Sequence, residues 1–449
     1  METDLSSKYD VRVPRYTSYP TAPHFNDGVN AEQYRRWLRA LPKDTALSLY
    51  FHIPFCDEMC WFCGCYTKIV KRYQPVADYL DVLLAEIDLV AAVLPARFQA
   101  SHLHWGGGSP TMLKGNDWQR TMDALRHHFE VSGEAEVAVE LDPRTATEEY
   151  VRGLGKAGVN RASIGVQDFD RTVQEAIHRI QPFDVTERVV GWLRRHGIDD
   201  INMDLMYGLP HQTVERVTAM VDLAVRLKPA RVALFGYAHV PWMKSHQKMI
   251  DETALPDGPE RWRQFTAAAE RLVEMGYVKI GLDHFALPGD EMAKALTGSR
   301  LRRNFQGYTV DVAPVLLGFG ASAIGRLPWG YIQNVAPLNA YRLAVGDGDL
   351  PTARGVAFSD DDRLRGDIIE RLMCDLRADI GAICREHGAK AEDFTAEMEK
   401  LAPLAADGIV TVEAGRIAIP EEGRAFVRLV AAVFDAYLDD GQRRHSKAV

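Results

Sequence analysis

The chain has 449 residues, 47% of them hydrophobic and 26% charged, which suffices for a large core in two or three domains and excludes extensive disorder. Its 53 basic and 62 acidic residues give a net charge of −9, which argues against broad binding of nucleic acid or anionic membranes. Six cysteines in so long a chain do not form a disulfide framework, and the polar segment 1–19 is no signal peptide, so we expect a cytoplasmic protein without membrane spans.

From residue 46 onward, apolar β-type runs alternate with segments of helical periodicity. Seven strands are predicted, at 46–52, 101–105, 136–142, 161–167, 201–208, 231–238 and 278–286. Six helices are predicted among them, at 76–93, 117–128, 148–157, 185–196, 214–227 and 259–275. This alternation predicts an α/β fold with a parallel sheet and helices outside it. Six or seven such units fit an incomplete TIM-like (β/α)6 barrel better than a short open sheet.

The most informative segment is a cysteine-rich loop after the first predicted strand. Cys56, Cys60 and Cys63 form the pattern C-x3-C-x2-C, and Cys65 follows closely. Three thiolates at this spacing can bind three irons of a [4Fe-4S] cube and leave the fourth iron open to a small molecule. Tetrahedral zinc, which usually takes its ligands from two separated pairs, and unligated redox thiols are the alternatives.

Glycines and polar residues stand at the ends of the next five predicted strands. They are the run 106–110, Glu140 with Asp142, Gln167, the segment 204–210 and the segment 237–239. Because the carboxyl ends of parallel strands meet at one rim, these residues predict a site around a single cavity. Each signal alone is weak: the glycine run matches neither the dinucleotide nor the P-loop spacing, and Glu140 would serve equally well in a salt bridge.

The composition of the chain changes at 347–358, where Gly, Pro and Asp are concentrated. A capped helix over 363–376, a hairpin over 408–419 that turns at Ala414-Gly415 and a helix over 422–437 then predict a mainly helical, winged-helix-like unit. It lacks a concentrated basic face, so a covering or docking role is favoured over DNA binding. Cys374 and Cys384 lie in helical patterns and are predicted to be small buried hydrophobes. We predict three domains: an extension at 1–40 that covers the site, a catalytic domain at 41–357 and the helical domain at 358–449.

The cysteine pattern with Phe62 before its last cysteine resembles the radical S-adenosylmethionine superfamily. Over nearly the whole chain the sequence resembles the oxygen-independent coproporphyrinogen III oxidase family. The matching segments are 14–21, 50–65, 103–111, 165–167, 202–210, 281–286 and 304–309. Cys65 stands where related haem chaperones and haem-degrading methyltransferases usually carry an aromatic residue. Ser109 departs from the threonine that the family often has, and it keeps the hydroxyl.

The resemblance implies a fold, a reaction and a set of site residues. The fold is a radical S-adenosylmethionine barrel, and the reaction converts the ring A and B propionates of coproporphyrinogen III to vinyl groups, giving protoporphyrinogen IX in haem synthesis. Cys56, Cys60 and Cys63 would ligate the [4Fe-4S] cluster, and Tyr50 and Cys65 would take part in catalysis. The positions that match the surroundings of two S-adenosylmethionine molecules are Tyr50, Phe62, Gly107, Gly108, Ser109, Glu140, Gln167, Arg179, Asp204, Ala238 and Ile324.

The partners that follow are coproporphyrinogen III, an unidentified electron donor and an unidentified electron acceptor, with the protein itself expected to be a monomer that binds neither nucleic acid nor membrane. The tetra-anionic substrate needs local cations, for which Arg15, Lys68, Arg302 and Arg303 are candidates. Three other functions compete: a radical methyltransferase or cyclopropane-forming relative, a non-catalytic haem chaperone, and a zinc or iron–sulfur sensor.

Overall fold

A computed structural model describes residues 5, 8–9 and 11–438 of the chain. Six strands that the sequence predicts lie side by side in chain order, and each runs parallel to its neighbour. They are β1 (Leu47–Ile53), β2 (Gln99–Gly107), β3 (Glu130–Leu141), β4 (Arg161–Gln167), β5 (Asp200–Tyr207) and β6 (Arg231–Gly236). The predicted α/β fold with a parallel core is confirmed.

Helices precede β1 and connect the parallel strands. They are α1 (Ala31–Arg39), α2 (Gln74–Val93), α3 (Gly115–His128), α4 (Glu148–Ala157), α5 (Arg171–Ala176), α6 (Phe183–Arg195), α7 (Val214–Arg226) and α8 (Gly258–Glu274). Local sequence sets their ends: the Thr147 side chain accepts a hydrogen bond from the backbone N–H of Tyr150 at the start of α4, and Gly158 ends that helix with φ +94°. Their apolar faces pack on the sheet and form the main core.

The predicted strand over 278–286 is wrong in its extent and direction. Two short antiparallel strands, β7 (Val278–Ile280) and β8 (His284–Ala286), replace it, and β8 runs antiparallel to β6. The break falls at Gly281, which has φ +54°. A Cβ at that position would lie only 2.0 Å from the Tyr308 ring, so the chain turns where a glycine is needed.

The sheet also extends on the other side of β1, which the sequence analysis did not predict. After α9 (Glu291–Thr297) and the hairpin of β9 (Arg302–Asn304) with β10 (Gly307–Thr309), the strand β11 (Val315–Phe319) pairs in parallel with β1. Three antiparallel strands follow it: β12 (Ile324–Leu327), β13 (Gly330–Asn334) and β14 (Thr352–Ala357). The helix α10 (Leu338–Gly346) lies between β13 and β14. The described part of the sheet therefore has twelve strands.

The segment after β14 forms a smaller unit of helices around a three-stranded sheet. Its helices are α11 (Asp360–Asp375), α12 (Ile380–Glu386), α13 (Thr395–Lys400), α14 (Ala402–Ala406) and α15 (Val427–Ala432), and its strands are β15 (Arg377–Asp379), β16 (Thr411–Glu413) and β17 (Arg416–Ala418). The predicted hairpin is confirmed, with φ +49° at Ala414 and +78° at Gly415. Cys374 and Cys384 are buried, as predicted.

The predicted amphipathic helix over 422–437 is wrong. A 3-10 turn at Glu421–Phe426 leads into the short α15, whose first five residues are all buried. Because α15 is enclosed on every side, it does not carry the polar face that the sequence pattern suggested.

The N-terminal residues pack on this C-terminal unit. Val13, Tyr16 and Tyr19 belong to the same apolar cluster as Phe426 and the buried faces of α11 and α15. In addition, the buried Arg428 side chain donates to the carbonyl oxygen of Pro14 at 2.9 Å. The boundaries of the three predicted domains stay a prediction, but the first and last segments share one core. Among the described residues, we find no helix with the length and apolarity required to cross a bilayer.

Candidate active site

The cysteine loop leaves the C-terminal end of β1. Cys60 is buried, Cys56 and Cys63 are partly buried, and Cys65 is exposed. A short parallel pairing of Phe55 with Lys68 and of Cys56 with Ile69 closes the base of the loop. Within the described residues, no three His, Cys, Asp or Glu side chains converge as they would around a single ion. A [4Fe-4S] cube places each thiolate on a different iron and does not need such convergence.

Two of the cysteine sulfurs accept hydrogen bonds from the loop itself. The Thr67 hydroxyl donates to the sulfur of Cys56 at 3.2 Å, and the backbone N–H of Cys65 donates to the sulfur of Cys63 at 3.4 Å. The Cys65 thiol and N–H lower the pKa of Cys63 to about 6. Burial raises the pKa of Cys56 to about 12, so that thiol needs the charge of a bound metal to ionise. Cys65 therefore supports Cys63 from outside the three-cysteine pattern.

The sulfur of Cys60 faces two guanidinium groups. Arg144 Nη2 lies 3.3 Å from it and Arg179 Nη1 lies 3.5 Å from it. Asp142 holds both arginines, at 2.7 Å from Arg144 and 3.2 Å from Arg179. Burial alone would raise the pKa of Asp142, but the charges of Arg179 and Arg144 keep it well below its ordinary value. These donors stabilise a thiolate, so the loop fits the ligand set of an iron–sulfur cluster.

Sequence reasoning identified Arg179 but missed Arg144. The available signal was its place two residues beyond Asp142, on the same rim of strand ends. In the structure Arg179 contacts Asp142, Cys60 and the carbonyl oxygen of Gly165, the last at 2.6 Å. Arg179 Nε is buried and has no hydrogen-bond partner among the described residues, which leaves one donor of this group for a ligand.

Glu140 lies at the end of β3 beside the glycine run that follows β2. Its carboxylate accepts a hydrogen bond from the N–H of Gly107 at 3.1 Å and lies 3.3 Å from His104 Nε2. A Cβ at Gly106 would come within 2.6 Å of the same carboxylate. A Cβ at Gly107, where φ is +113°, would come within 2.6 Å of His52. The glycines are thus required for the close approach of backbone, carboxylate and imidazole.

Tyr50 belongs to a small aromatic group on β1 and β2. Its hydroxyl lies 3.1 Å from His52 Nδ1, and its ring stacks on His104 with centroids 5.9 Å apart. Burial lowers the pKa of His52 and raises the pKa of Tyr50 well above its ordinary value, so both side chains are neutral near pH 7. Neither histidine was predicted as a site residue. Both face the rim because they alternate with the buried core residues of their strands.

Asp204 and Gln167 extend the rim across β4 and β5. Asn202 donates to Asp204 at 2.8 Å, and Ser163 donates to it at 3.3 Å. Burial and then the neighbouring charge of Glu140 raise the pKa of Asp204 to about 6. Gln167 is buried and has φ +69°, a left-handed conformation that non-glycine residues rarely adopt outside functional or strained sites.

Four of the remaining predicted contacts fall into two places. Gly108 and Ser109 bond through their N–H groups to the carbonyls of Ile53 and Phe55, at 2.9 and 2.7 Å, and so join the glycine run to the cysteine loop. On the other side, Gln247 Nε2 donates to the carbonyl oxygens of both Phe62 and Ala238, at 3.0 and 3.3 Å. Gln247 is fully enclosed and was missed by the sequence analysis.

Ile324 stands apart from these residues, on β12. Its backbone lies against Gly318 of β11, where a Cβ would be 2.5 Å from the Ile324 carbonyl oxygen. Gly318 is registered with Tyr50 across the parallel pair of β11 and β1. In the strand order of the sheet, Ile324 thus lies on one side of β1, and Glu140 and Asp204 lie on the other.

Comparisons with known proteins agree with this geometry. Residues 50–224 match the Radical SAM superfamily. Over 450 aligned residues and the full length of both chains, the sequence is 52% identical to an oxygen-independent coproporphyrinogen III oxidase of Bradyrhizobium diazoefficiens. It is 45% identical to one of Cereibacter sphaeroides, with 98% of this chain and 97% of the relative covered. The chain belongs to the oxygen-independent coproporphyrinogen III oxidase family.

A solved structure supports the same assignment at the level of the fold. The coproporphyrinogen III oxidase HemN of Escherichia coli, described as a radical SAM enzyme, superimposes with a TM-score of 0.91 at 36% identity. The match covers 95% of this chain and all of that one. Membership in this family implies a [4Fe-4S] cluster and S-adenosylmethionine.

The four cations suggested as substrate contacts are separated by the fold. Arg15 and Arg303 line one cavity beside β5 and β6. Arg302, the neighbour of Arg303, instead forms an ion pair with Glu370 at 2.8 Å. Lys68 is exposed on the short strand that closes the cysteine loop. Arg303 therefore lines two cavities, one of them with Arg15 and the other with Arg302.

Proposed function

We propose that the protein converts coproporphyrinogen III to protoporphyrinogen IX by oxidative decarboxylation without oxygen. The observation that carries this proposal is the cysteine loop with its donors to sulfur, set in a chain that matches oxygen-independent coproporphyrinogen III oxidases from end to end. Each reacting propionate loses a hydrogen atom from its β-carbon, then CO2 and one electron, and a vinyl group remains. We assign this change to the propionates of rings A and B.

Breaking an unactivated C–H bond lies beyond acid–base side chains, so a cofactor must supply the chemistry. When bound, the cluster and S-adenosylmethionine would supply a 5′-deoxyadenosyl radical for hydrogen abstraction. The protein holds and orients these groups. We infer that Cys56, Cys60 and Cys63 ligate the cluster and that Tyr50 and Cys65 assist the reaction at the rim.

For the cofactor contacts we infer two S-adenosylmethionine molecules. Glu140 and Asp204 are carboxylates that can accept hydrogen bonds from an ammonium group or ribose hydroxyls, and Arg179 offers its remaining donor to a carboxylate. Phe62, Ala238 and Ile324 offer apolar side chains or backbone against which the cofactor can pack. The other inferred contacts are Tyr50, Gly107, Gly108, Ser109 and Gln167.

We further propose a monomer in the cytoplasm, where a reducing environment protects a thiolate-bound cluster. Reduction of the cluster and removal of the final electron require an electron donor and an electron acceptor. The overall charge of −9 supports the proposal that neither nucleic acid nor an anionic membrane is a partner.

The decisive test is anaerobic turnover of coproporphyrinogen III with S-adenosylmethionine and a one-electron reductant. We expect CO2 release and protoporphyrinogen IX, with neither product formed when S-adenosylmethionine is omitted. A methylated tetrapyrrole without CO2 would identify a methyltransferase instead. Tight tetrapyrrole binding without any product would identify a chaperone.

Glu140→Gln should weaken S-adenosylmethionine binding while the cluster stays assembled. The carboxylate ends β3 on the rim of the cysteine loop, and losing a charge-assisted hydrogen bond costs about 1.5–3 kcal/mol, or roughly tenfold to a hundredfold in affinity. Anaerobic titration with iron analysis measures both quantities. Glu134→Gln, at an exposed position of the same strand, is the matched control. Equal affinities in the two variants would remove Glu140 from the cofactor site.

S-adenosylmethionine binding should also depend on pH through Asp204. In the free protein its pKa is about 6, because burial and Glu140 disfavour the carboxylate. A ligand that donates hydrogen bonds favours the ionised form, so below pH 6 binding must release a proton. Affinity should therefore rise between pH 5 and 7, by at most about tenfold per pH unit. Asp204→Asn should lack this rise, and an unchanged pH profile in that variant would contradict the assignment.

A further inference from the structure

A cavity of about 250 Å³ lies where the ends of β5 and β6 meet α8 and the C-terminal unit. Five arginines and two aspartates line it, so its charge is opposite in sign to the net charge of the protein. Ala238, one of the inferred cofactor contacts, also lines it. The aromatic rings of Tyr207, Trp262 and Phe265 form an apolar part of its wall. The cavity thus combines cations and aromatic surface directly beside the rim of the candidate active site.

Arg303 is a buried cation of this cavity whose hydrogen bonds are incomplete. Its Nε and Nη1 atoms are buried and have no hydrogen-bond partner among the described residues. Its Nη2 makes only a long bond of 3.4 Å to the carbonyl oxygen of Arg15, and the guanidinium lies 4.3 Å from the centre of the Tyr308 ring. Buried cationic donors without acceptors are costly, and a carboxylate is the group that fits a guanidinium in a bidentate manner.

The arginines around Arg303 repel one another. Burial, and then the charges of Arg15 and Arg303, lower the pKa of Arg428 to about 9. Arg15 itself donates to the carbonyl oxygen of Gly236 at 3.1 Å, which is a neutral partner. The charge of Asp283 acts on the Arg303 guanidinium, but Asp283 is also engaged by His284 at 2.8 Å. Glu370 accepts a hydrogen bond from the backbone N–H of Arg303, at 3.3 Å. A further anion in the cavity would offset the excess of positive charge.

We propose that this cavity binds a propionate carboxylate of the substrate that is not being decarboxylated, with Arg303 and Arg15 as its anchors. The identity of the substrate in this inference rests on the proposed function. The volume is below the 300 to 1,000 Å³ of typical small-molecule sites, so the cavity suits one arm of a tetrapyrrole rather than the whole macrocycle.

Anchoring an intact propionate would determine which other propionate faces the radical. Coproporphyrinogen III carries four similar arms, and the chemistry needs one β-carbon held within reach of the cofactor. Because the cavity borders Ala238, an arm held there keeps the macrocycle beside the inferred cofactor contacts, where another arm can face the cofactor. Arg303 and Arg15 are therefore positioning residues for this reaction.

The test compares Arg303→Gln and Arg15→Gln with the control Arg300→Gln. Arg300 is an exposed arginine three residues before Arg303, and it does not line this cavity. We expect the two cavity variants to raise KM for coproporphyrinogen III by roughly tenfold to a hundredfold, with smaller changes in kcat. Arg303→Lys keeps the positive charge but lacks the bidentate guanidinium, so its KM should lie between those of wild type and Arg303→Gln.

Equilibrium binding gives a second readout that needs no turnover. Coproporphyrin III, the oxidised tetracarboxylate, should bind the cavity variants more weakly than wild type by the same factor. Mesoporphyrin IX, a dicarboxylate, should show a smaller difference. Iron content and S-adenosylmethionine cleavage should stay at the wild-type level, which excludes a general folding defect.

The outcomes separate this inference from the proposed function. A wild-type enzyme that releases no CO2 would refute the proposed function whatever the variants do. An active wild type whose KM and porphyrin affinity survive both Arg303→Gln and Arg15→Gln would overturn the cavity assignment. The assignment is also overturned if Arg300→Gln is as damaging as Arg303→Gln, because the effect would then not depend on this cavity.

Discussion

Cys60→Ala should yield a protein without its [4Fe-4S] cluster and without detectable turnover, and Cys56→Ala and Cys63→Ala should do the same. A cube held by three protein thiolates loses a required ligand in each variant. Cys60 is the most buried of the three, and its sulfur faces the guanidinium groups of Arg144 and Arg179. Removing the Cys60 sulfur would leave these two guanidinium groups without that acceptor. Iron and sulfide content after anaerobic reconstitution, together with the visible charge-transfer absorption, measures the effect.

Cys65→Ser is the matched control for these variants. Cys65 is exposed and contributes its N–H to the sulfur of Cys63, a contact that serine retains. We expect normal iron and sulfide content with slower decarboxylation, since serine keeps a donor to Cys63 but lacks the thiol that we infer assists the reaction. A Cys65→Ser protein as depleted of iron as Cys63→Ala would show that four cysteines, rather than three, hold the cluster.

The sequence was sufficient to predict the rim because parallel strands impose a simple geometry. Because β1 to β6 alternate with helices and run parallel, their carboxyl ends lie at the same edge of the sheet. Residues as distant in the chain as Cys60, Glu140 and Asp204 therefore come to that edge. The spacing of the cysteines and the glycine run then marks the ligand loops. These signals are local and depend on short segments.

The residues that support the site could not be found in this way. Arg144, His52 and Gln247 acquire their roles through contacts across the fold, such as the bonds from Gln247 to the carbonyls of Phe62 and Ala238. An isolated arginine, histidine or glutamine in a sequence carries no sign of such partners. Their functional meaning comes from burial and distance, which periodicity does not encode.

The same limit applies to the outer strands. The strand β11 pairs with β1 although some 260 residues separate them, and nothing in its apolar run indicates which edge it joins. The region 278–286 is apolar enough for one strand, but Gly281 turns it because the Tyr308 ring occupies the space of a side chain. The all-round burial of α15 likewise depends on the N-terminal residues that pack on it.

Deleting residues 359–449 should leave a protein that still assembles its cluster and slowly cleaves S-adenosylmethionine but makes no protoporphyrinogen IX. All inferred ligands of the cluster and cofactor precede residue 359. The deleted unit, however, holds Val13, Tyr16 and Tyr19 in its core and supports the Pro14 carbonyl through Arg428. Its loss therefore also releases the N-terminal segment and opens the arginine-lined cavity to water. Radical formation should become uncoupled from hydrogen abstraction.

The deletion exposes the apolar surface around Trp262, so solubility and iron content must be verified before activity is compared. Co-expression of 359–449 as a separate chain is the matched control, since it restores the covering unit without restoring the covalent link. We expect decarboxylation to return in part, because the shared core that joins the N-terminal segment to this unit can re-form. Uncoupling is read as 5′-deoxyadenosine released per CO2, which should rise steeply on deletion and fall again on co-expression. A soluble, iron-loaded truncation that produced protoporphyrinogen IX at the full-length rate would refute the covering role, because neither the C-terminal unit nor the N-terminal segment it holds would then be needed to enclose the substrate.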